Sequence, residues 1–167
     1  MDTTLVTERN ASLESEYVIA AVIPVDASES DLLQRAASLY YFADFSAAEA
    51  LVREAKRRDL PPLPADKLET TPGKGARAII DGMHVRVGSI HLLVEERIAV
   101  PVSFAEKITA LAREGKIIIV VLSGRSLSGA IVLTEEPRPF HAISHKRKSF
   151  VASPLRTFLD FFRKRRE

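Results

Sequence analysis

Three glycines and one lysine are the residues of this chain whose spacing best suits ligand binding. Gly73 and Gly75 flank Lys74, and Gly88 follows later in the same segment. Because glycine adopts positive φ and lets a ligand approach the backbone closely, these positions could form a nucleotide-sized ledge, with the Lys74 ammonium near phosphates. The alternative interpretation is structural: the glycines turn the chain at the ends of a hairpin, and Lys74 is simply solvated.

Other chemistries find little support in the sequence. The chain has no cysteine, which excludes disulfides and thiolate ligands. His84 and His91 lack a histidine or carboxylate partner at ligand spacing, so no metal site is expected. A P-loop needs a Lys-Ser/Thr pair, which the segment Gly73-Lys74-Gly75-Ala76 lacks, and no Ser/His/Asp constellation indicates a hydrolase. No independent catalytic activity is expected.

Composition indicates a globular chain with a basic end. Of the 167 residues, 46% are hydrophobic and 28% charged, and no apolar run reaches the roughly 18 residues of a membrane span. No signal-peptide pattern opens the sequence, so we expect a cytoplasmic location. From His141 onward eight basic residues stand against two acidic ones, whereas the remaining 140 residues hold 16 basic and 20 acidic groups. No specific nucleic-acid partner is therefore expected.

The basic end carries a short amphipathic pattern. Ser153-Pro154 is typical of a helix start. The helix predicted to follow it has an apolar face and basic residues elsewhere, and its candidate contact residues are Arg156, Phe158, Leu159, Phe162, Arg163 and Lys164. Such a helix can insert into an anionic membrane surface, here at the inner face of the membrane, or it can dock to a partner protein. A solvated end without a binding role is the third interpretation.

The hydrophobic pattern predicts the elements that must hold the glycines. Long helices on an antiparallel sheet of about six strands make an α+β fold. The basic amphipathic helix follows this fold at the C-terminal end. The predicted elements are a strand over 17–24, a helix from Ser28 or Ser30 to Tyr41, a helix over 46–58, a hairpin with strands 76–80 and 83–87, a short helix capped by Ser89, a helix over 103–113, and strands over 116–122 and 127–133.

Six short segments occur in an order and spacing that resemble a known family. They are Ala36-Ala37-Ser38-Leu39, Ala50-Leu51-Val52-Arg53-Glu54-Ala55, Gly73-Lys74-Gly75, Val87-Gly88-Ser89, Gly115-Lys116-Ile117-Ile118-Ile119-Val120 and Leu127-Ser128-Gly129-Ala130-Ile131-Val132-Leu133. Over about residues 18–139 this pattern resembles the nucleotide-binding (N) domain of P-type ATPases. The closest likeness is to the heavy-metal and potassium-transporting branches. Each segment alone is generic, so the order carries the resemblance.

The resemblance implies a site for ATP, with any Mg²⁺ carried by the nucleotide. Phe45-Ser46 stands where the heavy-metal branch has the His-Pro of a Ser-Glu-His-Pro motif, whose histidine helps hold adenine. Phe45 could stack on adenine in its place, or it packs between helices. Glu49, like Ser46, either borders the pocket or belongs to a cap or solvated helix face. The expected nucleotide-binding residues are Phe45, Ser46, Glu49, Gly73, Lys74, Gly75 and Gly88.

The family's phosphorylation motif does not appear in this sequence. The segment Asp2-Thr3-Thr4-Leu5-Val6-Thr7 stands where the family has Asp-Lys-Thr-Gly-Thr, either as a decayed relic or by chance. The resemblance therefore implies an ATP-binding module of a cation-transporting ATPase without autonomous hydrolysis. Its expected partners are an adenine nucleotide and a transport ATPase. The expected organisation is a flexible segment over 1–16, the module over 17–139 and the basic tail over 140–167. The alternative is a degenerate interaction or regulatory module, tethered by its tail to a membrane surface or partner protein.

Overall fold

An antiparallel sheet with helices on both faces makes up the part of the chain that the computed structural model describes, residues 15–41, 46–71 and 73–137. The strand order is β1-β6-β5-β4-β3-β2, which confirms the predicted α+β fold with six strands. The elements are β1 (Ser15–Pro24), α1 (Glu29–Tyr40), α2 (Ser46–Arg57), β2 (Asp66–Thr71), β3 (Gly75–Ile80), β4 (Met83–Ser89), α3 (His91–Glu95), α4 (Val102–Arg113), β5 (Ile117–Ser123) and β6 (Ser126–Pro137).

Two apolar layers hold the sheet between its helices. On one face, α1 and α2 bury side chains such as Leu32, Leu33 and Leu51 against alternate residues of the strands. On the other face, Phe104 and Ile108 of α4 pack with side chains of β5 and β6. Because successive side chains of a strand point to opposite faces, the long apolar runs of β5 and β6 can supply both layers.

Most predicted elements are present, and the capping residues explain several of their ends. The Ser28 side chain accepts a hydrogen bond from the Asp31 amide at 3.1 Å, so Ser28 rather than Ser30 caps α1. Asp81 and Gly82 both have positive φ, 52° and 75°, as a tight hairpin turn requires. The expectation that Ser89 caps the short helix is wrong, because Ser89 ends β4 and Ile90 is the residue at the cap.

Strand β2 was not among the predicted elements. Its sequence, Asp66–Thr71, is almost wholly exposed, so it lacks the apolar alternation that marks a half-buried strand. It exists as an edge strand through pairing with β3. The predicted C-terminal helix, with its six contact residues, lies outside the described residues. None of the described helices is long and apolar enough to cross a membrane.

The proline-rich segment that follows α2, residues 60–64, is hydrogen-bonded to α1. Gln34 Nε2 donates to the Pro61 carbonyl oxygen at 2.8 Å, and the Leu63 amide donates to Ser38 Oγ at 2.8 Å. Ser38 is itself buried in α1 and donates to the Gln34 carbonyl. The prolines of this segment cannot join a helix or a central strand, so these hydrogen bonds satisfy its backbone groups instead. The segment connects α2 to β2.

An arginine-bound carboxylate closes the C-terminal turn of α2. Arg57 and Arg58 donate to the Glu54 carboxylate with nitrogen–oxygen distances of 2.6 to 2.7 Å, and Arg58 also pairs with Glu29 of α1. The hydrogen bonds from Arg57 and then Arg58 lower the pKa of Glu54 from 4.5 to about 2. The Glu54 side chain is only 17% exposed. Because Arg58 contacts both Glu54 and Glu29, the cluster also links α2 to α1.

We expect Glu54→Gln to lower the free energy of unfolding by about 1 kcal/mol at pH 7, because it removes a carboxylate bound by two arginines, of which Arg57 is largely solvated and Arg58 partly so. Since the folded pKa is depressed, the stabilisation is complete above pH 4.5 and is lost as the pH falls towards 2. Urea unfolding at pH 7, 4.5 and 2.5 should therefore show a smaller acid loss for Glu54→Gln than for the wild type. The exposed Glu106 of α4 gives the matched control, Glu106→Gln, and equal acid sensitivity of both variants would contradict the assignment.

Candidate functional site

Gly75 and Gly88 occupy positions where the β3–β4 hairpin leaves no room for a side chain. A Cβ on Gly75 would lie 2.0 Å from the Val87 carbonyl oxygen and 2.7 Å from the Gly88 Cα, and Gly75 has φ +118°. A Cβ on Gly88 would lie 2.4 Å from the Lys74 carbonyl oxygen. No side chain fits at either position without moving backbone, so the hairpin itself requires both glycines.

Gly73 is different, because open space surrounds it. It has φ +76°, and a Cβ there would meet no atom within 4 Å. The Lys74 amide closes the turn by donating to the Thr71 carbonyl oxygen at 3.0 Å, and Gly73 and Lys74 are both exposed. The turn therefore presents bare backbone and an ammonium group to solvent, directly beside the crowded Gly75–Gly88 contact.

Tyr40 joins the glycine contact to the helix layer. It ends α1, is 5% exposed, and its hydroxyl donates to the Val87 carbonyl oxygen at 3.2 Å, the same oxygen that leaves no room for a Cβ on Gly75. Burial raises the pKa of Tyr40 to about 12, so the hydroxyl stays protonated as a donor. The sequence analysis did not identify this role of Tyr40, although a tyrosine on a buried helix face needs a partner for its hydroxyl.

Glu49 lies on α2 in a depression of about 340 Å³. Its walls include Tyr40, Tyr41 and Lys56, and the Lys56 ammonium lies 5.6 Å from the centroid of the Tyr41 ring, within the range of a cation–π contact. Ser46 begins α2. Phe45 lies outside the described residues, so its expected stacking on adenine remains a prediction.

Lys74 and Gly75 border a second depression, of about 300 Å³, with Thr71, Arg77 and Arg86 among its walls. The structure thus brings Lys74, Gly75 and Gly88 together at one end of the β3–β4 pair. It does not place Glu49 in the same cavity. Tyr40 connects the Glu49 depression to the glycine contact, because its side chain borders that depression and its hydroxyl donates to the Val87 carbonyl oxygen.

Metal-ligand groupings are a separate matter. Within the described ranges, no three or more histidine, aspartate or glutamate side chains come together in a way that could hold a metal ion. The charged walls of the depression beside Gly75 are Lys74, Arg77 and Arg86 together with Glu69 and Glu96. The two carboxylates pair with the two arginines, and the Lys74 ammonium suits anionic oxygens.

Comparison with known proteins identifies relatives of the same architecture. No protein-family model matches the chain. The copper-exporting P-type ATPase B of Archaeoglobus fulgidus is 29% identical over 126 residues, which are 75% of this chain and 18% of that protein. The chain therefore spans less than a fifth of that relative's length, and the described elements correspond to one part of a much longer protein.

Solved structures narrow the match to one domain. A zinc-transporting PIB-type ATPase superposes with a TM-score of 0.64 at 27% identity, over 74% of this chain and 20% of that one. The N-domain of HMA8, a copper-transporting P-type ATPase, superposes with a TM-score of 0.59 at 29% identity, over 68% of this chain and 97% of that domain. The match covers nearly all of that isolated domain, and it confirms the resemblance found in the sequence: this chain is a homologue of the N-domains of heavy-metal P-type ATPases.

Proposed function

We propose that the chain binds an adenine nucleotide as the N-domain module of a heavy-metal-transporting P-type ATPase, without hydrolysing it alone. The observation that carries this proposal is the exposed Gly73–Gly75 turn, which leaves bare backbone and the Lys74 ammonium next to the crowded Gly75–Gly88 contact. Homology with a copper-transporter N-domain supports it. In such a pump the module works on the cytoplasmic side, and copper or zinc is the transported cation.

The nucleotide would lie between the start of α2 and the Gly73–Gly75 turn. The apolar, planar adenine suits the aromatic surface near the end of α1 and the expected stack on Phe45. The Lys74 ammonium then meets the phosphates, together with any Mg²⁺ that the nucleotide carries. Gly75 and Gly88 hold the backbone of the turn, while Gly73 gives the ligand room to approach.

Hydrolysis needs a phosphoryl acceptor that this sequence does not contain. The Asp-Lys-Thr-Gly-Thr motif of the family is absent from this sequence, and the 126 matched residues span 18% of the copper-exporting relative. The module's part in transport is therefore to hold the nucleotide with its phosphates towards solvent, where the phosphorylated aspartate of a complete pump would meet them.

ATP titration of the ¹⁵N-labelled chain, followed by NMR, tests the proposal. We expect saturable shifts at 46–49, at 73–75 and at Gly88 with millimolar ATP or better. Gly73→Asn fills the open space at the turn with a residue that tolerates positive φ. It should weaken ATP binding at least fivefold, or by about 1 kcal/mol, while the spectrum remains that of a folded protein.

Gly115→Asn is the matched control for this experiment. Gly115 follows α4, has φ +79° and also has no atom within 4 Å of an added Cβ, so the backbone cost is the same at a position outside the proposed site. An equal loss of affinity in both variants, or no shift at several millimolar ATP, overturns the nucleotide proposal. The second outcome would favour the degenerate interaction module.

Gly75 serves a different test, because substitution there damages the hairpin. We expect Gly75→Ala to lower the free energy of unfolding by about 3 kcal/mol or more, through backbone overlap added to the strain of positive φ. Gly73→Ala has the strain without the overlap and should cost about 1 kcal/mol. Urea unfolding of the two variants measures the difference, and equal losses would show that the close contact at Val87 does not limit position 75.

A further inference from the structure

The sheet has a first face, which packs against α1 and α2, and a second face, which packs against α3 and α4. The second face is left partly uncovered over β2, β3 and β4. On this face α4 packs against β5 and α3 against β4, and side chains such as Arg77 and His84 remain exposed. They border a depression of about 420 Å³, here called the basic trough. Its ionisable walls are Lys67, Glu69, Arg77, His84, Arg86 and Arg125.

The alternation of the strands concentrates positive charge in the trough. In β3 and β4, Ala78 and Val85 are buried beneath the helices of the first face, so the neighbouring Arg77 and Arg86 share the second face. These two arginines stand directly opposite each other in the strand register, an arrangement of like charges that is destabilising unless anions compensate it.

Two carboxylates of the domain already compensate this pair. Glu69 accepts from Arg77 Nε at 2.8 Å, and Glu96 forms an ion pair with Arg86. The Arg86 side chain also donates to the Gly124 carbonyl oxygen at 2.6 Å and is only 21% exposed, so its charge is held in place. The two arginines of the trough thus already bind carboxylates of the same domain.

Two further cations of the trough lack such compensation. Neither Lys67 nor Arg125 makes an ion pair or a side-chain hydrogen bond to another described residue, and both are exposed. Lys67 lies on the edge strand β2, and Arg125 lies in the turn between β5 and β6. They stand at the end of the trough away from Lys74, and neither borders the depression that contains Gly75.

We propose that the basic trough docks a short acidic segment of a partner protein, whose carboxylates pair with Lys67 and Arg125. Ile79 contributes an apolar surface to the same trough, which suits a segment that alternates acidic and apolar side chains. A long polyanion fits less well, because the first 140 residues carry 20 acidic and 16 basic groups and repel it outside the trough. The docking does not depend on nucleotide binding.

NMR titration of the full ¹⁵N-labelled chain with an octapeptide of alternating glutamate and valine tests this proposal. At 50 mM NaCl we expect shifts centred on Lys67, Arg77 and Arg125, and weaker binding at 300 mM because salt screens exposed charges. The double variant Lys67→Asn/Arg125→Gln should lower the peptide affinity at least threefold. Gly73→Asn should leave the peptide affinity unchanged, which separates this site from the nucleotide site.

The matched control is Lys107→Asn/Arg113→Gln. It removes the same charges from exposed positions of α4 and keeps the basic tail, so nonspecific attraction falls equally in both double variants. Equal weakening by the two double variants overturns the proposal, as do shifts that avoid the trough. Tighter binding of a single-stranded oligonucleotide or of phosphatidylserine vesicles, with the same dependence on Lys67 and Arg125, overturns the assignment to a protein segment.

Discussion

The backbone contact between Gly75 and Gly88 is the constraint on which the β3–β4 end of the molecule depends. Because the missing Cβ atoms let the two strands approach, the Val87 carbonyl oxygen is left accessible to the Tyr40 hydroxyl. That bond ties the end of α1 to the hairpin in a buried environment, where an unpaired hydroxyl would be costly. The Gly75–Gly88 contact and the Tyr40–Val87 bond together connect the end of α1 to the hairpin that follows the exposed turn.

The same hairpin serves the two faces of the sheet differently. Its small and branched residues, such as Ala76, Ala78 and Val85, fill the layer under α1, while Arg77 and Arg86 face the uncovered side. The opposed arginines are tolerable because Glu69 and Glu96 neutralise them, and these acids come from β2 and from the residue after α3. The exposed edge strand β2 is thus an electrostatic partner of β3 as well as a hydrogen-bonded one.

Features that local chemistry determines could be predicted from the sequence, and features that depend on distant contacts could not. The Asp81-Gly82 turn and the stop of α4 just before Gly115 follow from positive φ, which few residues tolerate. Strand β2 has no hydrophobic signal and exists through its pairing with β3. The Tyr40–Val87 bond joins residues far apart in the chain. Ser89 looked like a cap because its sequence neighbours allowed one, but the pairing of β4 with β5 extends through Ser89.

The candidate site shows why the glycines are unequal evidence for nucleotide binding. A chain that had lost any ligand would still need glycine at positions 75 and 88, since a Cβ at either would strike backbone within 2.4 Å. These residues therefore support the fold and say little about the ligand. At Gly73 an added Cβ would contact no other atom, so a residue that tolerates positive φ could replace this glycine without a clash. Gly73 and Lys74 are therefore the residues that support nucleotide binding, because the fold leaves the surface open around them. A side chain added at Gly73 would contact a bound ligand before it contacted any part of the protein.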